Sequence, residues 1–195
     1  MSGTTMEERA AVERIVRGAF DTLTGRRGEA LRYAMMDDTP VGVLGLAAGA
    51  RGLRHLSFVR GEDDFLERLL AEHGDAQILK SAELDEVRRA LDRYFAGKRL
   101  DFDLAVDLGD LGPFHRRVLG ATARIPAGRV ATYTQVATRA GSPKASRAAG
   151  NALHNNPIAI VVPCHRVLRT DGSLGGYGGG LPIKEWLLRH EGVLL

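Results

Sequence analysis

The sequence predicts a mixed α/β (α+β) fold in two parts, a small antiparallel sheet with helices followed by a mostly helical part. Apolar runs separated by turn residues between 31 and 59 indicate strands. Helical spacing of apolar residues follows, and two short helix signals meet at Gly141. A chain of 195 residues is long enough for two small domains. We place them at 1–108 and 109–195, with residues 1–30 as a helical extension of the first domain.

The first domain contains the predicted sheet. The extension has the apolar spacing of an amphipathic helix over Met6–Phe20. Turn residues at 37–40 and 49–52 separate three runs that we read as an antiparallel meander, namely Leu31–Met35, Val41–Ala48 and Leu53–Val59. Two helices are predicted next, at Phe65–Glu72 and Ser81–Ala96. Residues 100–111 lack helical periodicity and lead to the domain boundary.

The second domain has the signals of several short helices. The first is predicted over Pro113–Thr122. Thr132, followed three residues later by Gln135, forms a capping box at the start of the next. Ser142-Pro143 supplies the N-cap and first-turn proline of a third, which runs to about His154. This layout is typical of a helix-turn-helix. The third helix is rich in small residues, which suits either close packing on a neighbour or close approach to a DNA groove.

Charge and composition limit the classes of function. The net charge is only +3, but residues 116–169 contain eight arginines and Lys144 and no acidic residue. Such a basic segment favours a polyanionic partner such as nucleic acid, although a merely solvated basic face has the same composition. No apolar stretch approaches the roughly 20 residues that span a bilayer. The single cysteine excludes an internal disulfide and favours a reducing, cytoplasmic location.

That cysteine, Cys164, lies in the segment Pro163-Cys164-His165-Arg166. The apolar run Ile158–Val162 before it is predicted to be a buried strand that delivers the thiol. A free thiol titrates at about 8.5, so a nucleophilic cysteine needs a neighbour that favours the thiolate, and His165 is adjacent. Cysteine is also one of the most frequently buried residue types. On these residues alone, a core cysteine and a reactive cysteine remain open.

Three longer motifs narrow the choice. The chain contains Asn155-Asn156-Pro157 ahead of the Pro-Cys-His-Arg segment, then Gly175-Gly176-Tyr177-Gly178-Gly179-Gly180 and Lys184-Glu185-Trp186-Leu187-Leu188-Arg189-His190-Glu191-Gly192. In these motifs the chain resembles the O6-alkylguanine-DNA alkyltransferase family, densely from 114 to 192 and more loosely in the first domain. The resemblance implies a ribonuclease H-like first domain and a helix-turn-helix in the second. It implies direct-reversal DNA repair, in which an alkyl group moves from guanine to the protein.

The resemblance also implies the roles of four residues in the chemistry. Cys164 is the alkyl acceptor, His165 takes its proton through a water, and Glu191 orients the imidazole. Asn156 ties the recognition helix to the segment that carries the cysteine. The sequence alone favours a solvated acid at a helix end for Glu191, and an ordinary turn for Asn156. The reaction needs no cofactor and no metal.

The same resemblance implies the DNA contacts, because a base inside a duplex must be rotated out to reach a buried thiol. Arg147 fills the space left in the base stack, next to Ser146 on the same helix, and Tyr133 contacts the 3′ phosphate. Tyr177 caps the pocket, and the backbone N–H of Gly178 faces guanine O6. The backbone at Val167 reads the exocyclic amine. Alone, Arg147 suits a surface ion pair and Tyr133 a core aromatic.

The predicted partner is therefore double-stranded DNA containing O6-alkylguanine, bound by a monomer. O4-alkylthymine as a second substrate and cooperative binding along DNA are left open. Three other classes of function share parts of this pattern. A lesion-binding relative that transfers nothing lacks the cysteine, which is present here. A Cys-His hydrolase acting on acyl groups would need an oxyanion hole and would turn over. A transcriptional regulator of this family carries a further cysteine-ligated metal domain, which a chain with one cysteine cannot form.

Overall fold

The computed structural model describes residues 30–74, 76–109 and 111–193. A four-stranded sheet forms the first half, with strand order β3-β2-β1-β4. The strands are β1 (Ala30–Met36), β2 (Leu44–Gly49), β3 (Gly52–Phe58) and β4 (Gln77–Lys80). The first three form the predicted antiparallel meander, in which Ala34 pairs with Leu46 and Leu46 with Leu56. The fourth strand was not predicted, since its four residues are too few to show a period, and it pairs parallel to β1.

Two helices accompany this sheet, α1 (Glu62–His73) and α2 (Asp85–Phe95). The first begins three residues earlier than predicted, because three acidic residues fill its first turn, where the helix dipole favours negative charge. The second is preceded by a 3₁₀ turn, Ala82–Leu84, which the Ser81 side chain caps. Helix α1 packs with Phe65 and Leu69 on one side of the sheet, against Tyr33, Met35 and Ala47. The predicted helix at Met6–Phe20 lies outside the described residues.

The second half contains four helices among the described residues: α3 (Pro113–Ala123), α4 (Tyr133–Arg139), α5 (Ser146–His154) and α6 (Leu181–His190). The capping box of Thr132 and Gln135 is present at the start of α4. Gly141, at φ 77°, turns the chain between α4 and α5 as the helix-turn-helix pattern requires. The predicted N-cap was wrong: Ser142 accepts the Ala145 N–H through its backbone carbonyl, and α5 begins only at Ser146.

The predicted strand over Ile158–Val162 was also wrong. Only Ile158 makes a strand-like bridge, to Leu56 of β3, and the chain then folds into a buried turn. Ile160 has a positive φ of 66°, which is costly for a β-branched residue and marks a backbone fixed by its surroundings. The apolar residues are buried as the pattern predicts. Burial alone does not distinguish a strand from a packed turn.

One core joins the two halves. Leu44 and Leu56 of the sheet belong to the same apolar cluster as Leu119, Ile158 and Leu187 of the second half. A two-stranded parallel pairing, β5 (Ala131–Thr132) with β6 (Val167–Leu168), then ties the start of α4 to the segment after the cysteine. Within the described ranges, no helix has both the length and the apolar character needed to cross a membrane.

Candidate active site

An open pocket of about 620 Å³ ends on Cys164, on the side of the molecule that carries the helix-turn-helix. Three parts of the chain form its walls: the start of α4, one face of α5, and the segment from 169 to 178. The predicted site residues that line it are Tyr133, Ser146, Arg147, Cys164, Tyr177 and Gly178. Cys164 as a whole is only 9% exposed and lines this pocket, which gives a ligand a route to the thiol.

A 3₁₀ turn, Cys164–Arg166, holds the thiol and the imidazole next to each other. The Asn156 Nδ2 donates to the Cys164 Sγ at 3.2 Å and to the Val162 carbonyl at 2.8 Å. The Asn156 Oδ1 accepts the Ile158 N–H at 3.1 Å. Asn156 follows the end of α5, so one side chain connects the helix, the buried turn and the thiol.

Burial favours the neutral forms of both Cys164 and His165. Burial raises the pKa of the Cys164 thiol, and the Asn156 hydrogen bond and the charge of Lys184 offset only part of this effect. Burial likewise lowers the pKa of His165, although its hydrogen bond to Glu191 acts in the opposite direction. The adjacent imidazole therefore does not create a standing thiolate, in contrast to the simplest reading of Cys-His. The thiol must lose its proton during the reaction itself.

Behind the thiol, Glu191 is a buried carboxylate and not the solvated helix-end acid that the sequence alone favours. Its Oε1 lies 2.9 Å from the His165 Nε2. Burial opposes ionisation of Glu191, but hydrogen bonds from His165 and Arg166 outweigh it and lower its pKa to about 2. A carboxylate that accepts from Nε2 leaves the His165 Nδ1 as the basic nitrogen. That atom is buried and has no hydrogen-bond partner among the described residues.

Three further buried polar residues around the site, two of which bond to Glu191, were missed in the sequence. Arg166 Nε donates to the Glu191 Oε2 at 2.8 Å and its Nη2 to Oε1 at 2.8 Å. Tyr94 Oη donates to the same Oε1 at 2.7 Å. Lys184 is fully buried and donates to the carbonyls of Val167 and Leu174. Arg166 belongs to the Pro-Cys-His-Arg segment and Lys184 begins the motif that ends at Gly192, but residue type alone predicts exposure for both.

The glycine-rich segment brings Tyr177 over the site. The ring of Tyr177 packs edge-on against Phe58 of β3 at 5.7 Å and against His165 at 6.3 Å between ring centroids. Its hydroxyl is buried with no partner in the described part of the chain. Gly178 follows at the pocket wall and is exposed. Val167, in contrast, is fully buried in β6 and does not line the pocket. Its carbonyl accepts a hydrogen bond from the Lys184 Nζ.

The pocket mouth carries the groups predicted to meet DNA. Arg147 is exposed at the start of α5, and no ion pair to it is formed within the described residues. Ser146, beside it, is half-buried. Tyr133 begins α4, and its ring lies against Gly150 of α5, where a Cβ would stand 3.7 Å from the ring. The small residue at 150 thus lets α4 and α5 approach each other next to the thiol.

The pocket itself offers one thiol and no carboxylate, so its lining does not make a metal site. Within the described ranges, metal-ligating side chains converge at His55, Glu72 and His73. The two Nε2 atoms lie 2.7 Å apart and the ring centroids 4.9 Å apart. The nitrogens therefore point at each other, the geometry of an N–H···N hydrogen bond, and an ion between them would need the rings to separate.

A helix-turn-helix beside a pocket that ends on one thiol, with a buried His-Glu pair behind it, defines a DNA-binding protein with a cysteine nucleophile. The family model described as 6-O-methylguanine DNA methyltransferase, DNA binding domain, matches residues 113–193. The model of the ribonuclease-like domain of the same family matches residues 31–108. The chain belongs to the 6-O-methylguanine DNA methyltransferase family.

Individual relatives agree with this assignment over most of the chain. A methylated-DNA--protein-cysteine methyltransferase of Methanosarcina acetivorans is 40% identical over 161 residues, which are 82% of this chain and 98% of that protein. The crystal structure of Mycobacterium tuberculosis O6-methylguanine methyltransferase is 36% identical and superposes with a TM-score of 0.69, covering 83% of this chain and 92% of that one. A structure of the Mycobacterium tuberculosis protein in complex with DNA is 34% identical, with a TM-score of 0.69 and 85% and 94% of the two chains covered.

Proposed function

We propose that this protein repairs DNA by moving the alkyl group of O6-alkylguanine to its own Cys164, once per molecule. The observation that carries the proposal is the position of the thiol, at the end of a pocket whose mouth is the helix-turn-helix. The family relationship supports the same chemistry. Double-stranded DNA with an O6-alkylated guanine is the substrate and the only partner that the reaction requires.

The proposed chemistry is a displacement at the alkyl carbon. The thiol proton passes to the Nδ1 of His165, while the imidazolium that forms is stabilised by Glu191 at 2.9 Å from Nε2. The sulfur then forms a bond to the alkyl carbon as the bond from that carbon to guanine O6 breaks. Guanine leaves with the electron pair and takes up one proton, which balances the proton lost by the thiol. The resulting thioether is stable, so the protein reacts once.

The walls of the pocket supply the remaining contacts. We assign the Gly178 N–H to guanine O6, where it meets the charge that develops on the leaving oxygen. Tyr177 covers the base, and its unpartnered buried hydroxyl is available to the guanine ring. We assign the exocyclic amine of guanine to the Val167 carbonyl, which accepts from the Lys184 Nζ and has a second lone pair, since the Val167 side chain itself is buried in the core.

The base reaches the pocket by leaving the duplex. We assign the gap in the stack to Arg147, which is exposed at the pocket mouth, and Ser146 lies beside it. We assign Tyr133 to the phosphate that rotates with the flipped nucleotide. The basic stretch from 116 to 169 supplies attraction to the phosphates, so the rate at low protein concentration falls as salt rises.

The test is mass spectrometry after mixing the protein with a duplex that contains one O6-methylguanine. A mass gain of one methylene on the peptide with Cys164, never more than one per protein, is expected. Cys164→Ser is the control and must stay unmodified while it still binds the duplex. Binding of the wild type without modification would replace this proposal with one of lesion recognition alone.

We further propose a cytoplasmic monomer, with the domain division at 108/109. The short gap between the two family matches, which end at 108 and begin at 113, supports this division.

A further inference from the structure

The Glu191 carboxylate receives a contact from the other half of the molecule. Tyr94 lies in the last turn of α2, in the ribonuclease-like part of the chain, and it is fully buried. Its hydroxyl donates to the Glu191 Oε1 at 2.7 Å across 97 positions of sequence. The same Oε1 accepts from the His165 Nε2 and the Arg166 Nη2. The first domain thus provides one of the three donors to the oxygen that orients the imidazole.

Contacts of the ring and of the backbone carbonyl hold Tyr94 in place. The Tyr94 ring packs against Phe102 and His190, both at 5.2 Å between centroids. The Tyr94 carbonyl lies 2.6 Å from the His190 Nε2. Tyr94 therefore binds two consecutive residues at the end of α6: its carbonyl accepts from His190, and its hydroxyl donates to Glu191. With this anchoring, Glu191 has little freedom to rotate away from His165.

We propose that Tyr94 is a positioning residue for alkyl transfer, through which the ribonuclease-like domain fixes Glu191 and tunes the basicity of His165. This inference rests on the proposed function and adds a residue to it. Three donors share the negative charge of Oε1, so each one weakens the attraction of that oxygen for the others. Tyr94 thereby limits how strongly Glu191 favours the imidazolium and keeps His165 neutral and ready to accept a proton.

The test compares Tyr94→Phe with Tyr33→Phe. Tyr33 belongs to the same domain, is buried, and also donates to a carboxylate at 2.7 Å, that of Glu62, so the two variants lose the same kind of bond. For each protein, the transfer rate at saturating duplex and the duplex Kd are measured from pH 5 to 9. Tyr94→Phe is expected to slow transfer about tenfold near neutral pH, because a larger fraction of His165 is then protonated and cannot accept the thiol proton. The Kd is expected to stay unchanged, because Tyr94 does not line the pocket.

The shape of the pH profile separates positioning from general loss of stability. Without the Tyr94 hydroxyl, the carboxylate attracts the imidazolium more strongly, so the acidic limb of the profile moves to higher pH. If Tyr94 only stabilised the fold, Tyr94→Phe would lower the transfer rate by the same factor at every pH or leave it unchanged. Either result overturns the proposal. Tyr33→Phe is expected to keep both the wild-type rate and the wild-type profile.

A second measurement keeps this inference distinct from the proposed function. NMR titration of ¹⁵N-labelled histidine follows the His165 ring in the absence of DNA. An upward shift of the His165 pKa in Tyr94→Phe, absent in Tyr33→Phe, supports the coupling even if the wild type transferred no alkyl group. An unshifted His165 titration in Tyr94→Phe overturns the coupling even if the wild type is fully active.

Discussion

Asn156 donates a hydrogen bond to the Sγ of Cys164 at 3.2 Å, and the same amide nitrogen donates to the Val162 carbonyl. The amide oxygen accepts from the Ile158 N–H. The side chain thus closes the buried turn from both ends and places a donor on the sulfur. A donor at this position favours the thiolate over the thiol, which opposes the effect of burial on the pKa of Cys164.

Asn156→Ala is expected to lose about 2–3 kcal/mol of unfolding free energy, because two buried backbone groups lose their partner. It should also slow alkyl transfer, since the forming thiolate loses a donor. Urea unfolding and single-turnover transfer measure the two effects. Asn155→Ala is the matched control, because it removes the side-chain amide of the preceding residue. Among the residues that the structure describes, that amide donates only to the Asn151 carbonyl, at the exposed end of α5. Equal losses in the two variants would contradict the role assigned to Asn156.

Gly175→Ala tests how closely the glycine-rich segment approaches Tyr133. A Cβ at 175 would stand 2.9 Å from the Tyr133 hydroxyl oxygen, and Gly175 has a positive φ of 67°. We expect a loss of about 1 kcal/mol from the backbone conformation and, in addition, a weaker Kd for DNA as Tyr133 is displaced.

Gly172→Ala is the control for this variant. Gly172 also has a positive φ, 82°, but no atom lies within 4 Å of a Cβ built there. It should share the stability loss and keep wild-type DNA binding. If both variants bound DNA equally well, the contact with Tyr133 would have no part in recognition.

The sequence predicts the meander and the helices of the fold because their periods of two and 3.6 residues come from the elements themselves. It does not predict β4, β5 or β6, whose strands of four and two residues show no period. It also misplaces the start of α5, because a Ser-Pro pair suits a turn as well as an N-cap. The strand predicted over Ile158–Val162 is wrong for a related reason: its apolar residues are buried, as in a strand, but the chain forms a turn in which Ile160 has a positive φ.

Some residues of the site can likewise be predicted from the sequence, and others cannot. The Asn-Asn-Pro and Pro-Cys-His-Arg motifs lie close together in the sequence and identify Asn156, Cys164 and His165. Tyr94 lies 97 positions from Glu191, and no local pattern connects the two. Arg166 and Lys184 are long cationic residues that composition assigns to the surface, yet both are buried and bonded to carbonyls or to a carboxylate. Only the tertiary structure supplies those partners.

Glu191→Gln is expected to be strongly destabilising, by about 3–5 kcal/mol, because it leaves the buried Arg166 guanidinium without its counter-charge. Alkyl transfer should also fall steeply, since a neutral amide does not stabilise the His165 imidazolium. Thermal or urea unfolding and single-turnover kinetics measure these effects. Glu185→Gln removes an exposed i,i+4 pair with Arg189 on the same helix and should change stability within about 0.5 kcal/mol. Similar losses for the two would show that Arg166 finds another partner.

Stability is expected to decline in mild acid because of His55. Burial, then the neighbouring His73 and Arg54, lower its pKa to about 4 from an ordinary value near 6.5. Between these values the unfolded chain binds a proton that the folded chain does not, so unfolding free energy falls as pH drops from about 6.5 to 4. The loss attributable to His55 reaches at most about 3 kcal/mol. The Glu72 carboxylate lies 3.9 Å from the His55 Nδ1. Urea unfolding at pH 7 and pH 4.5 should show a smaller change in unfolding free energy for His55→Leu than for the wild type. An NMR titration of His55 with its midpoint near 6.5 would refute this explanation.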